Sequence, residues 1–586
     1  MPKPQMPKPK MPKPTKTAPP GPWDSEVRLL VWLATCVSVM SFLAYFQRGD
    51  VLLYGDAVAH MNIARRVFDS KTPGLLQLGT VWLPLPHLLM IPFLLSHEMW
   101  QRGVGGSIPS MIAYVFGVVG MFRLVRGTLS RDSAPNKAPD APARLAAWTA
   151  ALVYAANPNL IYMQTTAMGE ALYLAFFIWA VVYLSEYVRD NPKALNKCGL
   201  CLAAACLTRY DGWFLAAAMA ATVALLSIFG KIPAAFPTAV LMKRTSARSS
   251  SRAPVVRFIL IAAAAPSLWL TYNGIVYRNP LEFANGPYSA KAIERRTQNG
   301  ANPGHPGNAN PLLAEQYFLK SAEANVAENQ WLQRTWVLLA LAGVVAATLT
   351  SRNNSSGTET QPANALWPSL WPLLFLLIPL PFYSLSVAYG GVPIFIPSWW
   401  PFTHYNVRYG LQLLPAFAVA LALLAHRAVR SDGWQMRTRV ACVVGIIAFL
   451  VASYASIWRA GPVSLVEAQV NMRSRNQLEA QLATWLEKLP RDSTLLMYLG
   501  DHVGALQQAG IPLKQVINEG NHRTWKQPTD ADGLWERALL DPAQYVDYVV
   551  AFEGDSVWQA VQTRNLQALV VIHTSGQAPA IIYRAR

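Results

Sequence analysis

Residues 27–46 read VRLLVWLATCVSVMSFLAYF, an apolar run with one charge, Arg28. Its length matches the roughly 20 residues that a helix needs to cross a ~30 Å hydrocarbon core. It is too long for a signal-peptide core, and no small-residue cleavage site follows it, so it is expected to remain as a first membrane span. Before it stands MPKPQ-MPKPK-MPKPT, a Pro/Lys repeat without core-forming residues. Residues 1–26 are therefore expected to be a disordered cytoplasmic tail.

After it, apolar blocks of similar length recur along the chain. They are Ser107–Val125, Leu145–Ile161, Ala171–Tyr187, Gly199–Leu207 (beginning nearer Asn191), Gly212–Phe229 and Phe258–Tyr277, then Trp336–Leu349, Trp371–Val387, Val407–Leu424 and Val440–Ile457. The expected fold is mainly α: a polytopic transmembrane helical bundle of about eleven spans over 27–458. Composition agrees. The chain is 53% hydrophobic and 14% charged, against roughly 25% charged for a soluble domain. The net charge of +18 would suggest nucleic acid in a soluble protein. Here the basic residues gather between apolar blocks, where topology accounts for them and no nucleic-acid partner is expected.

Those basic segments orient the chain. Arg123–Arg144, Lys231–Arg257, Arg427–Arg439 and the Lys-rich tail all fall on one side of an eleven-span model, which the positive-inside rule makes cytoplasmic. Tyr389–Tyr405, on the other side, has no Lys or Arg. Val81–Leu95 is apolar but contains Pro84, Pro86, His87 and Pro92. Counting it as a span would put Arg123–Arg144 outside, so it is read as interfacial or re-entrant. Two long outer loops follow, 47–106 and 278–334, and an outer tail, 460–586. The tail mixes an amphipathic helical stretch, Val466–Leu489, with β-like runs at Thr494–Leu499, Val546–Phe552, Ala568–Thr574 and Ile581–Arg584, the pattern of a small soluble extracytoplasmic α/β domain. The five cysteines all lie in apolar blocks, where they read as small packing residues. Cys198 and Cys201 have CxxC spacing, without a second pair or an adjacent His.

Four span ends carry polar chemistry on the outer side. The first loop opens Tyr54-Gly55-Asp56-Ala57-Val58-Ala59-His60 and runs to Arg65-Arg66. Asp56 reads either as a helix cap or as a general base beside apolar surface, where a carboxyl's pKa rises. His60 lies four residues on and shares its helix face. Glu170 opens the next span, which suits the helix dipole and also marks an acid entering the membrane. Arg209, Tyr210 and Asp211 sit between two span ends, as a local ion pair or with the arginine aimed at a phosphate. Arg408 and Tyr409 reach the same level, where Arg408 either snorkels or binds. Together they form the inventory of a site for a lipid-linked phosphate. Asp56 and Glu170 are the catalytic candidates. His60, Arg65, Arg209, Tyr210, Asp211, Arg408 and Tyr409 are the candidates for binding substrate and donor phosphate.

On three stretches, Tyr54–Arg66, Leu207–Trp213 and Asn406–Pro415, the chain resembles the polytopic GT-C glycosyltransferases. It is most similar to the bacterial branch related to protein O-mannosyltransferases and to the aminoarabinose transferases of lipid A. The resemblance covers roughly residues 27–458. It implies a sugar donor on a polyprenyl phosphate, a protein or glycolipid acceptor, and a multi-pass protein of the bacterial inner membrane. It also implies that Asp56 is the base and that Arg209 or Arg408 contacts the donor phosphate. Transfer would be a single displacement that inverts the anomeric carbon. No cofactor is required; a divalent metal is possible but not indicated. The protein O-mannosyltransferases carry adjacent Asp and Glu in this loop, whereas Ala57 follows Asp56 here, and Glu170 is the substitute available. The rival classes are a transporter or flippase of lipid-linked substrates and a non-catalytic scaffold.

Overall fold

The computed structural model describes residues 24–130, 140–189, 191–229, 253–297, 304–352, 370–430, 433–522 and 530–586. The Pro/Lys repeat and most of the basic segment 231–257 lie outside these.

Each expected span coincides with a helical element. The first runs Ser25–Arg48; the Asp24 side chain accepts from Val27 N at its start, and Gly49, at φ 76°, closes its end. A left-handed C-terminal residue of this kind suits glycine, which has no Cβ to clash. Among the described residues, eight helices are long and apolar enough to cross a membrane. Three of the eleven expected spans fall outside that set: Ala141–Ala155, Pro192–Cys206 and Gln330–Arg352. The first two have 15 residues each, about 22 Å of helix against a core of ~30 Å. The block Leu145–Ile161 is not continuous. It breaks after Ala155, and a short helix, Pro158–Met163, follows, capped by the Asn157 side chain on Leu160 N. Trp371–Val387 divides into a 3₁₀ turn, Trp371–Leu377, and a helix, Pro379–Tyr389. Val407–Leu424 begins as a 3₁₀ turn, Val407–Leu413. The Pro-rich segment read as interfacial contains a helix of 10 residues, Leu85–Leu94, about 15 Å long and too short to span.

Close packing in the bundle depends on small residues. On helix Val104–Leu129 a Cβ at Gly117 would meet Tyr154 Oη at 2.5 Å, and one at Gly120 would meet Ile178 at 2.8 Å. With no side chain there, the neighbouring helices can approach, the usual route to helix association in lipid.

The tail begins with helix Val463–Leu486 and continues into a five-stranded sheet. Its strands are β1 (Leu495–Met497), β2 (Val516–Ile517), β3 (Tyr548–Phe552), β4 (Gln567–Ile572) and β5 (Ala580–Arg584), in the order β2-β1-β3-β5-β4. β1 runs parallel to β2 and β3; β5 is antiparallel to β3 and β4. Four of these strands match the β-like runs of the sequence. β2, at two residues, is too short to carry an alternating pattern.

The sheet unit docks on the 47–106 segment through a buried polar network. Asn62 Nδ2 donates to Gln507 Oε1 at 2.8 Å, Trp100 Nε1 donates to Asn62 Oδ1 at 3.1 Å, and Gln507 Nε2 donates to the Trp100 carbonyl at 2.8 Å. Asn62→Ala leaves the Trp100 and Gln507 groups buried and unpaired, which costs about 1–3 kcal/mol per group. A lowered thermal midpoint of the purified protein is the expected result; an unchanged midpoint would show that the network does not hold the two parts together.

Candidate active site

Helix Gly55–Arg66 presents one face to a cavity of about 2230 Å³; Asp56, His60, Ile63 and Arg66 all line it. At 100° per residue, His60 lies 40° around the helix from Asp56, whereas Arg65, nine residues on, lies about 180° away. Arg65 accordingly faces out of the cavity. Its Nε pairs with Asp69 at 2.7 Å, its guanidinium is stacked between Phe68 and Trp100, and it donates to the Leu94 carbonyl. The expectation that Arg65 binds the donor phosphate is corrected on this ground. Arg66 is the arginine of this helix that reaches the cavity, with Nη1 3.9 Å from Glu519.

The cavity's charged centre is assembled from five parts of the chain. Asp56 stands in the first turn of helix Gly55–Arg66, and Glu170 opens helix Glu170–Val188. Arg209 precedes helix Asp211–Phe229, and Asp211 opens it. Arg408 lies in the 3₁₀ turn that follows Asn406, whose φ is 55°. Glu467 comes from helix Val463–Leu486 in the tail.

All three guanidinium nitrogens of Arg408 are engaged by carboxylates. Nη2 is 2.7 Å from Asp56, Nε is 3.3 Å from Glu170, and Nη1 is 2.6 Å from Glu467. Its Cζ lies over the rings of both Tyr54 and Tyr409, 5.0 and 5.1 Å from their centroids. Arg209 is similarly held. Nη1 is 3.1 Å from Glu170, Nε is 3.3 Å from Asp211, and Nη2 donates to Tyr383 Oη at 3.0 Å. It too lies over Tyr409, at 5.0 Å. A planar fork over aromatic faces is the setting in which arginine cannot be exchanged for lysine.

Four carboxylates thus surround two guanidiniums, an excess of two negative charges. Asp56 differs from the others in exposure. Its side chain is 44% exposed, against 1% for Glu170, 2% for Asp211 and 0% for Glu467. Glu170 Oε1 serves both arginines, and Oε2 has no hydrogen-bond partner among the described residues. Burial pushes the Glu467 carboxyl up from its ordinary value, against the opposing pull of Arg408. Tyr210 lines the same cavity, stacks on Phe283 at 4.9 Å and donates to the Val81 carbonyl.

The expectation that Arg209 and Arg408 take the donor phosphate meets a physical objection: the nitrogens of Arg408 all face carboxylates, and those of Arg209 face Glu170, Asp211 and the Tyr383 hydroxyl, so a phosphate would have to displace these partners. Glu467, Tyr54, Tyr383 and Arg66 were not among the sequence candidates. Glu467 follows the Gly461-Pro462 break at the end of the last apolar helix, and an acid just past such an outer span end is the signal that would have found it.

Part of the cavity lining belongs to the tail. Tyr498 and Asp501 follow the carboxyl end of β1; Glu519 and Gly520 follow that of β2. Crevices at the carboxyl ends of parallel strands are the usual ligand positions of α/β sheets. Among the described residues, no group of three or more His, Cys, Asp or Glu is arranged to hold a metal ion.

Comparison with known proteins finds no matching family model and no matching curated relative. Solved structures do match. The crystal structure of ArnT from Cupriavidus metallidurans bound to undecaprenyl phosphate is 14% identical, with a TM-score of 0.52, over 96% of this chain and 98% of that one. The apo form of the same protein is 13% identical, with a TM-score of 0.52 and the same coverage. The oligosaccharyltransferase AglB from Archaeoglobus fulgidus, in complex with an inhibitory peptide and a dolichol-phosphate, is 12% identical, with a TM-score of 0.46, over 90% of this chain and 69% of that one. The fold expected from the sequence, a polytopic helical membrane bundle with a small C-terminal α/β unit, is the fold found, and it is similar to that of ArnT.

Proposed function

We propose that this protein transfers a sugar from a polyprenyl-phosphate donor to a hydroxyl or amine of a protein or glycolipid acceptor, on the non-cytoplasmic side of the membrane. The observation that carries the reading is the exposure of Asp56: of four clustered carboxylates, only this one opens substantially to the cavity. Its likeness in fold to a protein crystallised with undecaprenyl phosphate supports the choice of donor.

In this mechanism Asp56 accepts the acceptor's proton while the acceptor oxygen or nitrogen attacks the anomeric carbon. The bond to the lipid phosphate breaks on the opposite face, so configuration inverts. Arg408 fixes Asp56 from behind, and Arg209 with Arg408 fixes Glu170, a second acid at the same level. The leaving phosphate meets the donors still directed into the cavity from helix Gly55–Arg66, His60 and Arg66. Charge developing there is stabilised by groups held in place beforehand. Tyr210 and Tyr409 form aromatic walls.

Transfer assays with undecaprenyl-phosphate-linked hexoses and pentoses, using membrane extract as acceptor source, test this reading. Label is expected to leave the donor with inversion at the anomeric carbon. Retention would exclude the single displacement, and intact donor across the panel would exclude the activity.

Sidedness is tested separately. In a variant with the five native cysteines replaced, Ser250→Cys and Gln508→Cys are expected to react with an impermeant thiol reagent from opposite sides. Labelling of both from one side would overturn the orientation.

A further inference from the structure

His87 has no part in the mechanism above, yet it touches the group next to Asp56. It lies on helix Leu85–Leu94, fully buried, with Nε2 at 2.8 Å from Nδ1 of His60. Its other nitrogen, Nδ1, has no hydrogen-bond partner among the described residues. His60 lines the cavity and rests against Trp82, ring centroids 4.5 Å apart.

A contact this short between two imidazoles holds a single proton: one ring donates and the other accepts. Burial pushes His60 down to about 4, although Asp56 and Glu170 oppose the shift, and pushes His87 well below its ordinary value. Both rings are therefore neutral near pH 7, and two arrangements remain. In one, His87 Nε2–H donates to His60 Nδ1, and the proton of His60 sits on Nε2. In the other, His60 Nδ1–H donates to His87 Nε2, and His87 carries a buried Nδ1–H with no acceptor. Orphaned buried N–H groups are the rarer defect. The carboxylates of Asp56 and Glu170, which act on His60, also favour a proton on the side of the ring that faces the cavity. Both arguments select the first arrangement.

We propose that His87 is a positioning residue that holds His60 in its Nε2–H form, so that the cavity presents an uncharged N–H, one helical turn from the Asp56 carboxylate, to an anionic phosphate oxygen of the lipid-linked substrate. The phosphate half of this statement rests on the function proposed above; the protonation of the two rings does not.

The test uses the full chain, labelled with ¹⁵N-histidine and placed in lipid nanodiscs, with signals assigned through His60→Gln and His87→Gln. Both rings are expected to be protonated at Nε2. Protonation of both at Nδ1 overturns the proposal. Adding undecaprenyl phosphate is then expected to move the His60 Nε2 signal. In His87→Leu the affinity for that lipid is expected to fall about tenfold, the scale of one hydrogen bond to a charged group. In His87→Gln, whose amide N–H can replace Nε2–H as donor, most of the affinity is expected to return. Lipid that binds without moving the His60 signal, or equally well to His87→Leu, removes the phosphate role. Failure of the lipid to bind at all overturns the proposed function and the phosphate half together, while the ring protonation states decide the other half.

Discussion

Asp56→Asn is expected to abolish transfer while leaving the protein folded. Removal of a general base typically costs 10²–10⁴-fold in rate, and an amide cannot accept the acceptor's proton. The stability side follows from exposure. Asp56 is 44% exposed, and its pair with Arg408 is one of three that Arg408 makes. An ion pair this open is worth about 0–1 kcal/mol, and Arg408 keeps Glu170 and Glu467 when it is lost. The variant should therefore purify with a thermal midpoint near wild type and a turnover reduced by at least ~10². Full activity would remove Asp56 from the chemistry. A collapse in stability would instead make it a structural group.

Arg408→Ala is expected to behave in the opposite way. Its side chain is 7% exposed, and two of its partners, Glu170 and Glu467, are 1% and 0% exposed. Taking away the guanidinium leaves Glu467 buried without a cationic partner, while Glu170 keeps Arg209 at 3.1 Å; breaking a buried pair in this way costs about 3–5 kcal/mol. The expected outcome is a large fall in thermal midpoint or loss of folded protein, together with loss of transfer. Arg408→Lys should recover part of the stability and little of the activity, because one ammonium cannot reach three carboxylates or lie flat over Tyr54 and Tyr409. An Arg408→Ala protein with an unaltered midpoint that merely needs more donor lipid would return the arginine to the phosphate-binding role first read from the sequence.

The contrast between these variants reflects what can be read along a chain and what cannot. The apolar blocks were legible because bilayer thickness imposes a length on each of them. The Pro-rich Val81–Leu95 block was separated from them by charge placement alone, and its helix is indeed too short to cross. The break after Ala155 falls on Asn157-Pro158-Asn159, a polar, proline-bearing signal that the length of the apolar block masks. In the site, Asp56, Glu170, Arg209 and Arg408 were legible as polar residues at outer span ends, and they meet within ion-pair distance. Their mutual saturation was not legible. Glu467 reaches Arg408 from 59 residues along the chain, out of a helix, Val463–Leu486, that lies wholly within the tail expected to be a separate soluble domain. Arg65 and Arg66 differ by one position, and the 100° step between them decides which one sees the cavity.

The tail also changes meaning. It contributes Glu467, a carboxylate paired with Arg408, and the residues after β1 and β2 line the cavity. Helix Gly55–Arg66, which carries Asp56, is bonded to the tail through Asn62.

The central claim is that a lipid-linked phosphate enters the cavity beside Asp56. A cryo-EM structure of the full-length protein in nanodiscs with undecaprenyl phosphate tests it most directly. Phosphate density is expected within the cavity, against His60 and Arg66 and facing the Asp56 carboxylate, with Arg209 and Arg408 still paired to their acids. Phosphate density outside the cavity, or separated from Asp56 by protein, would contradict it.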